Sequence, residues 1–517
     1  MKKIIVLSTI LTLTLVIGSC TDESFITEKP TTFANPDLLL TDIKSAELYL
    51  NGAYDLTRDN LSHGSQNSLG GTGLANHWGI YGTDELVPFV WERVYGEFHQ
   101  HIISPQAPTI YSHWSKTYKA INQCNSVIGR VGNMPDAAID PDQRNRVIAE
   151  AKFLRSALYF WAVQVWENIP LVVEETTDLD NIEVEQTTPD KIYEQVIKDL
   201  QEAITVLEVG QGGGRATKGA AQALLGKVYL QMTGYPINDA SNFALAEVQL
   251  QEVIDSSIYN LLEEYNWVFD LDHEQSEEIV FAWGMDGPGL QSGGQLSSFA
   301  GPAGSLENGA GWGSHFVNPE TEAAYERQDI RRWNNIAYHN ANDYTPEEAF
   351  SDDPDVVRTT NPANMYGWKW HAEKPNNYTS DTPFDNPFIR YADVLLSYAE
   401  ALHGQGKLTV AVWEQTVNRL RARVNATPVD FASLSNEEIT DAILNERRLE
   451  GFLEGWRKAD LIRFGKMEEV ILGINVDIGA AFPNPAPNWT PAKLRWPIPQ
   501  QALDRNPKLK QNTGLED

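Results

Sequence analysis

Apolar residues at helical spacing govern both ends of this chain, and that spacing fails in the middle. Ile43, Ala46, Leu50 and Tyr54 fall on one helical face. A Gly-, Ser- and Asn-rich loop over 64–82 interrupts the pattern, and Trp114, Tyr118, Ile121 and Val127–Ile128 resume it. The spacing predicts a helix over 147–166 with Phe153, Leu154, Ala157, Leu158, Trp161 and Val165 on one side. Thr188 and Pro189 read as the N-cap and first residue of a helix reaching Leu207. Its inward face is Ile192, Val196, Leu200, Ile204 and Leu207, and Gly210 to Gly214 stops it.

The helices come in pairs. A helix over 220–232 holds Leu225-Gly226-Lys227-Val228-Tyr229, the L-G-x-x-Y pattern of tetratricopeptide repeats, and Ala244-Leu245-Ala246 starts its partner. Gly and Ala let two helices approach closely, and Tyr fills the wedge between pairs. A second pair is predicted from Tyr391 and from Val410 to Val424, and Ser435 with Glu438 forms a capping box for a third helix. The predicted fold class is mainly α, a tetratricopeptide-like scaffold of helix pairs with a loop-rich, irregular second subdomain. The parts are a helical stretch over 38–266, a loop-rich aromatic stretch over 267–387 and a helical stretch over 388–517. A loop region that long inside a compact chain is usually functional. This one carries Trp283, Trp312, Trp333, Trp368 and Trp370, unlike a disordered linker.

The first residues predict the compartment. Met1-Lys2-Lys3 is a positive start, 4–17 is apolar but short for a membrane span, and Gly18-Ser19 precedes Cys20. This is a secretory signal over 1–19. Its end resembles the lipobox of bacterial lipoproteins, which implies cleavage before Cys20 and lipid on that cysteine, followed by a tether over 20–37. Cys124 then has no disulfide partner and reads as a buried structural thiol.

The net charge of −31 excludes a global pull toward nucleic acid or an anionic membrane surface. A search for catalytic constellations finds none with specificity. His273 and Glu274 lack the second His of a zincin helix, and no G-x-S-x-G elbow is present. His99 and His101 fall on one side of a predicted strand without a visible third ligand. Carboxylates abound, but two-carboxylate glycoside cleavage needs a set separation that residue order cannot show. What remains is binding. With 15 Trp, 19 Tyr and 18 Phe the chain is rich in flat rings, which pack against the apolar faces of sugars. Two stretches mix such rings with polar side chains: 76–95, with Trp78, Trp91 and Arg93, and 283–370.

Several longer motifs resemble the SusD/RagB family. They include Glu150-Ala-Lys-Phe-Leu-Arg-Ser-Ala-Leu-Tyr-Phe160, Arg215-Ala-Thr-Lys-Gly219 through Tyr229, and Phe388-Ile-Arg-Tyr-Ala-Asp-Val394. Asn445-Glu-Arg-Arg-Leu-Glu450, Gly455-Trp-Arg-Lys-Ala-Asp460 and Leu494-Arg-Trp-Pro-Ile-Pro499 follow in family order. The resemblance implies a non-enzymatic lipoprotein on the extracellular side of the outer membrane. Such proteins capture oligo- or polysaccharide for a SusC-like TonB-dependent transporter. It implies no cofactor; a structural Ca²⁺ is compatible with the acidic loops, but no pattern points to one. The acidity favours a neutral glycan.

In the family's starch-binding prototype a stacking Trp and an Arg follow an Asp-Glu pair that ends an early loop. Here Asp84-Glu85 is followed by Trp91 and Arg93. The remaining ring contacts are placed on Trp283, Trp312 or Tyr366 in the middle stretch, so the candidate ligand set is Trp78, Trp91, Arg93, Trp283, Trp312 and Tyr366. The charged residues Glu446, Arg447, Arg448, Glu450, Arg457, Asp460 and Arg463 are read as a lock on the last helices. Two rival readings stay open: a peptide-binding importer subunit of the RagB type, and a secreted glycoside hydrolase.

Overall fold

The computed structural model describes residues 39–62, 73–89, 93–178, 183–285, 293–304, 311–338, 365–371, 381–474 and 484–516. The predicted leader, the tether, Cys20 and Trp91 lie outside them. The chain is mainly helical. Its helices include α1 (Ile43–Leu61), α2 (Arg93–His99), α3 (Pro108–Gly132), α4 (Pro141–Trp166), α5 (Pro189–Val206), α6 (Lys218–Met232) and α7 (Asn242–Asp255). After the irregular stretch come α8 (Tyr391–Gly404), α9 (Asn436–Glu450), α10 (Arg457–Arg463) and the short α11 (Gln500–Arg505). Among the described residues no helix is long and apolar enough to cross a membrane.

Local chemistry explains the helix limits. Asp140 caps α4 by accepting from the Asp142 and Gln143 N–H groups, and Pro141 begins the helix. The Ser435–Glu438 capping box opens α9 as expected. Pro189 does begin α5, but Thr188 makes no side-chain cap bond. The helix predicted over Val410 to Val424 breaks in two at Thr416.

From Val147 onward α4 is buried almost all round, so it is the central helix. Arg155 reaches from it to α5 and donates to both Asp199 oxygens at 2.8 Å. This buried, bidentate pair fixes two helices at one angle. Cys124 is buried in α3, and burial pushes its thiol up to about 12.

The close approach expected at Gly226 is present. A Cβ there would stand 2.7 Å from Cγ of the buried Leu250 on α7. Gly226→Ala is therefore expected to destabilise the chain by about 1–3 kcal/mol through overpacking, although alanine is the better helix former. Denaturant unfolding checks it; an unchanged or raised midpoint would show that α6 and α7 have room to part.

Strands are short and tie distant parts together. β1 (Leu86–Pro88), β2 (Ile169–Pro170) and β3 (Gln186–Thr187) precede β4 (Ile279–Trp283), and β5 (His315–Val317), β6 (Ile336–Ala337), β7 (Tyr366–Gly367) and β8 (Asn386–Arg390) follow. β4 pairs antiparallel with β8, so the two ends of the irregular stretch meet in one ladder. A four-stranded sheet runs β1-β5-β7-β6, which brings a strand from the early chain into the middle region. His99 and His101 do not share a strand. His99 ends α2, His101 has a φ of +56°, and both are buried.

Candidate functional site

The early loop is fixed first. Asp84 is buried and accepts from Arg457 Nε and Nη2 at 2.8 and 2.7 Å and from Arg448 Nη1 at 2.8 Å. Burial alone would raise its carboxyl, but the two arginines override that and hold it well below the usual carboxylate range. Asp84, two residues before β1, is thus pinned to α9 and α10 and anchors the end of the early loop.

Glu85 behaves oppositely. One oxygen accepts the Leu453 N–H at 3.2 Å and the other has no hydrogen-bond partner among the described residues. Burial, reinforced by the Asp84 charge, pushes its pKa up to about 8. An acid whose folded pKa exceeds its unfolded value contributes stability that is full below the unfolded pKa, near 4.5, and lost as pH rises through about 8. Glu85→Gln keeps the shape and removes that titration. It is expected to raise the melting temperature at pH 8 and leave it nearly unchanged at pH 5; an equal shift at both would refute the assignment.

From this anchor β1 runs along β5, with Leu86 opposite Val317, Val87 opposite Phe316 and Pro88 opposite His315. The Phe89 N–H extends the ladder to the Ser314 carbonyl at 2.9 Å. Just before β5 stands Trp312, 44% exposed, with its backbone N–H on the Ser298 carbonyl at 2.7 Å. Gly313 follows with φ +60°, and a Cβ there would meet the Ala303 Cβ at 2.7 Å, so the turn that presents Trp312 requires glycine. Phe299 supports the indole from below, ring centroids 4.4 Å apart and planes at 82°.

Phe299 also touches Tyr95 of α2 at 5.5 Å, which sets α2 beside Trp312. Its first residue, Arg93, has a side chain 89% exposed and paired to Glu97 at 3.0 Å. Val94 is exposed and Phe89 half-buried. Trp312 and Phe89 thus flank the β1–β5 ladder, while the exposed Arg93 and Val94 open α2, whose Tyr95 meets Phe299. Of the tryptophans among the described residues, Trp312 is the one that counts as exposed. It offers ring surface for stacking, and the Arg93 guanidinium offers hydrogen-bond donors.

Three other candidates are buried and cannot present a ring face to a ligand from solution. Trp78 is 0% exposed, with Trp161 at 5.7 Å and the Lys458 ammonium 5.6 Å from its ring. Trp283 lies in β4 between Phe281 at 4.8 Å and Phe388 at 5.3 Å. Tyr366 in β7 packs on Phe316 in a small cluster with Val87 and Phe89. Each sits in a stretch that reads as a loop, yet the fold closes over it. The support residues Phe89 and Phe299 went unnoticed in the sequence; the only signal was the apolar run Leu86-Val-Pro-Phe89 just ahead of Trp91.

The charged motif is the lock expected of it. Arg331 binds Asp329, Glu446 and Glu450, while Arg390 binds Glu278, Glu450 and Glu454, all buried. Arg447 bridges Asp393 and Asp460, and Arg463 bridges Glu400 and Asp460. Among the described residues no group of three or more His, Cys, Asp or Glu side chains is placed to hold a metal.

Two family models match this chain. One, described as the SusD family, covers residues 277–514, and one described as starch-binding associating with outer membrane covers residues 77–230. The chain belongs to the SusD/RagB family. Within it, a SusD-like protein of Bacteroides ovatus is 25% identical over 350 residues, 66% of this chain and 63% of that protein, just under two thirds of the relative's length. The crystal structure of a SusD homolog from Bacteroides thetaiotaomicron superposes with a TM-score of 0.77 at 23% identity, covering 92% of this chain and 98% of the other. Surface glycan-binding protein A from the same organism, in complex with laminarihexaose, superposes with a TM-score of 0.71 at 22% identity, covering 91% and 99%. The SusD/RagB fold therefore spans nearly all of the chain.

Proposed function

We propose that this SusD/RagB chain is a non-catalytic, cell-surface glycan-binding lipoprotein. It captures oligo- or polysaccharide and hands it to a SusC-like TonB-dependent transporter in the outer membrane. Lipid on Cys20 anchors it to the extracellular face. The observation that carries the reading is Trp312, an exposed indole on a glycine-dependent turn. A sugar ring lays its C–H face on the indole while its hydroxyls take hydrogen bonds from neighbouring polar groups. Support comes from the family model named for starch binding and from the laminarihexaose complex of a protein with the same fold.

Binding fits better than hydrolysis. The carboxylates that stand out, Asp84, Glu446, Glu450 and Asp460, are buried and tied to arginines, so they build the scaffold. The net charge of −31, with Arg93 already paired to Glu97, favours neutral over anionic glycans. The test is affinity gel electrophoresis and calorimetry of the full chain against a panel of neutral and acidic polysaccharides, with reducing-sugar release measured alongside. Retention by at least one neutral glycan without release is expected. No binding to any panel member, or release of reducing ends, overturns the reading.

A further inference from the structure

A second ring-lined hollow lies on α3, away from the Trp312 platform. Tyr111, Trp114 and Tyr118 follow one another at three- and four-residue steps and so share a helix face. They line a cavity of about 300 Å³ that the loop after β2 and the residues of and after α11 close on the other sides. That volume is at the small end of ligand sites. A series of ring contacts through Phe299, Tyr95, His77, Phe98, Trp496 and Trp166 runs from Trp312 to Trp114 through the core, so the two places do not share a surface ring.

The polar groups that build the walls are spoken for. The Tyr118 hydroxyl donates to the Pro170 carbonyl at 2.9 Å, and Asn122 Oδ1 takes the Thr176 N–H at 2.8 Å. Arg505 donates one Nη1–H to the Tyr111 hydroxyl and holds its guanidinium 5.4 Å from that ring. Other donors at the rim make no hydrogen bond among the described residues: Asn122 Nδ2, the Ser115 hydroxyl and the remaining Arg505 N–H groups. A purely apolar occupant would cover these donors without pairing them, at a desolvation cost. An anion would meet one cation on a strongly acidic chain. A pyranose matches both halves of the site, its C–H face on the rings and its hydroxyls on the free donors.

We propose that this hollow is a second saccharide site, taking a terminal pyranose independently of the Trp312 platform. The test is saturation-transfer NMR on the full chain carrying Trp312→Ala, with the methyl glycosides of glucose, galactose, mannose and xylose as probes. At least one glycoside is expected to show transfer, and adding Tyr111→Ala or Asn122→Leu should weaken its Kd by about tenfold or more. Asn122→Leu sits at the rim and keeps the test valid if Tyr111→Ala fails to fold by circular dichroism. No transfer from any of the four glycosides overturns the proposal, as does transfer that survives Asn122→Leu. The platform reading is judged separately, on polysaccharide retention by the wild-type chain, so failure of one is distinguishable from failure of the other.

Discussion

Trp312→Ala is expected to weaken polysaccharide binding by about 2 kcal/mol, roughly thirtyfold in Kd, while shifting the melting temperature by only about 2 °C. Two features set this asymmetry. The indole is 44% exposed, and its ring contact among the described residues is the single edge-on one with Phe299, so its removal opens no buried cavity. A sugar stacked on it, however, loses the largest flat apolar surface at the β1–β5–α2 junction. Arg93→Ala should have a smaller effect, because its guanidinium already pairs with Glu97. Calorimetry with the best glycan of the panel and a thermal melt of the same samples decide the matter. A drop of many degrees with unchanged affinity would make Trp312 a packing residue.

Glu450→Ala is expected to cost about 3–5 kcal/mol of stability at pH 7, the largest loss among single substitutions in the arginine lattice. One carboxylate oxygen accepts from Arg390 at 3.0 Å and Arg423 at 2.6 Å, and the other accepts from Arg331 at 3.1 Å. All four side chains are buried. Removing the acid leaves three guanidinium groups short of a counter-charge where water cannot replace it. Burial would raise this carboxyl, but Arg423, Arg390 and Arg331 together hold it well below the usual range. With the folded pKa depressed, the contribution is present above the unfolded carboxylate pKa of about 4.3 and is lost as pH falls through the folded value. Glu450→Gln should therefore cost stability at pH 7 and progressively less on acidification below about pH 4. Denaturant unfolding of both variants across pH checks this. A loss under about 1 kcal/mol for Glu450→Ala would show that the lattice tolerates a missing carboxylate.

The helical scaffold was legible because its signals are local. A 3.6-residue apolar period and the Ser435–Glu438 box act within one or two turns and do not depend on distant neighbours. The charged motif near the C-terminus was legible as a lock for a similar reason, since Glu446 and Glu450 lie one helical turn apart on α9. Its partners were not. Arg331, Arg390 and Asp84 come from other parts of the chain, and residue order carries no record of those meetings.

The candidate site shows the same boundary. By itself the sequence determined a mainly helical chain, an irregular Trp-rich middle and the family, all through short-range periodicity and contiguous motifs. It could not rank the rings, because a tryptophan in an irregular segment reads alike whether its face is covered or open. Only the tertiary structure decided that. The β4–β8 ladder buries Trp283 between two phenylalanines, and the core around Trp161 and Lys458 closes over Trp78. The pairing of β1 with β5, two strands far apart in the chain, ties the early loop to the strand after Trp312, whose indole is left facing water. Burial is a property of what comes back to cover a residue, and that is fixed by long-range pairing rather than by the residue's neighbours in sequence.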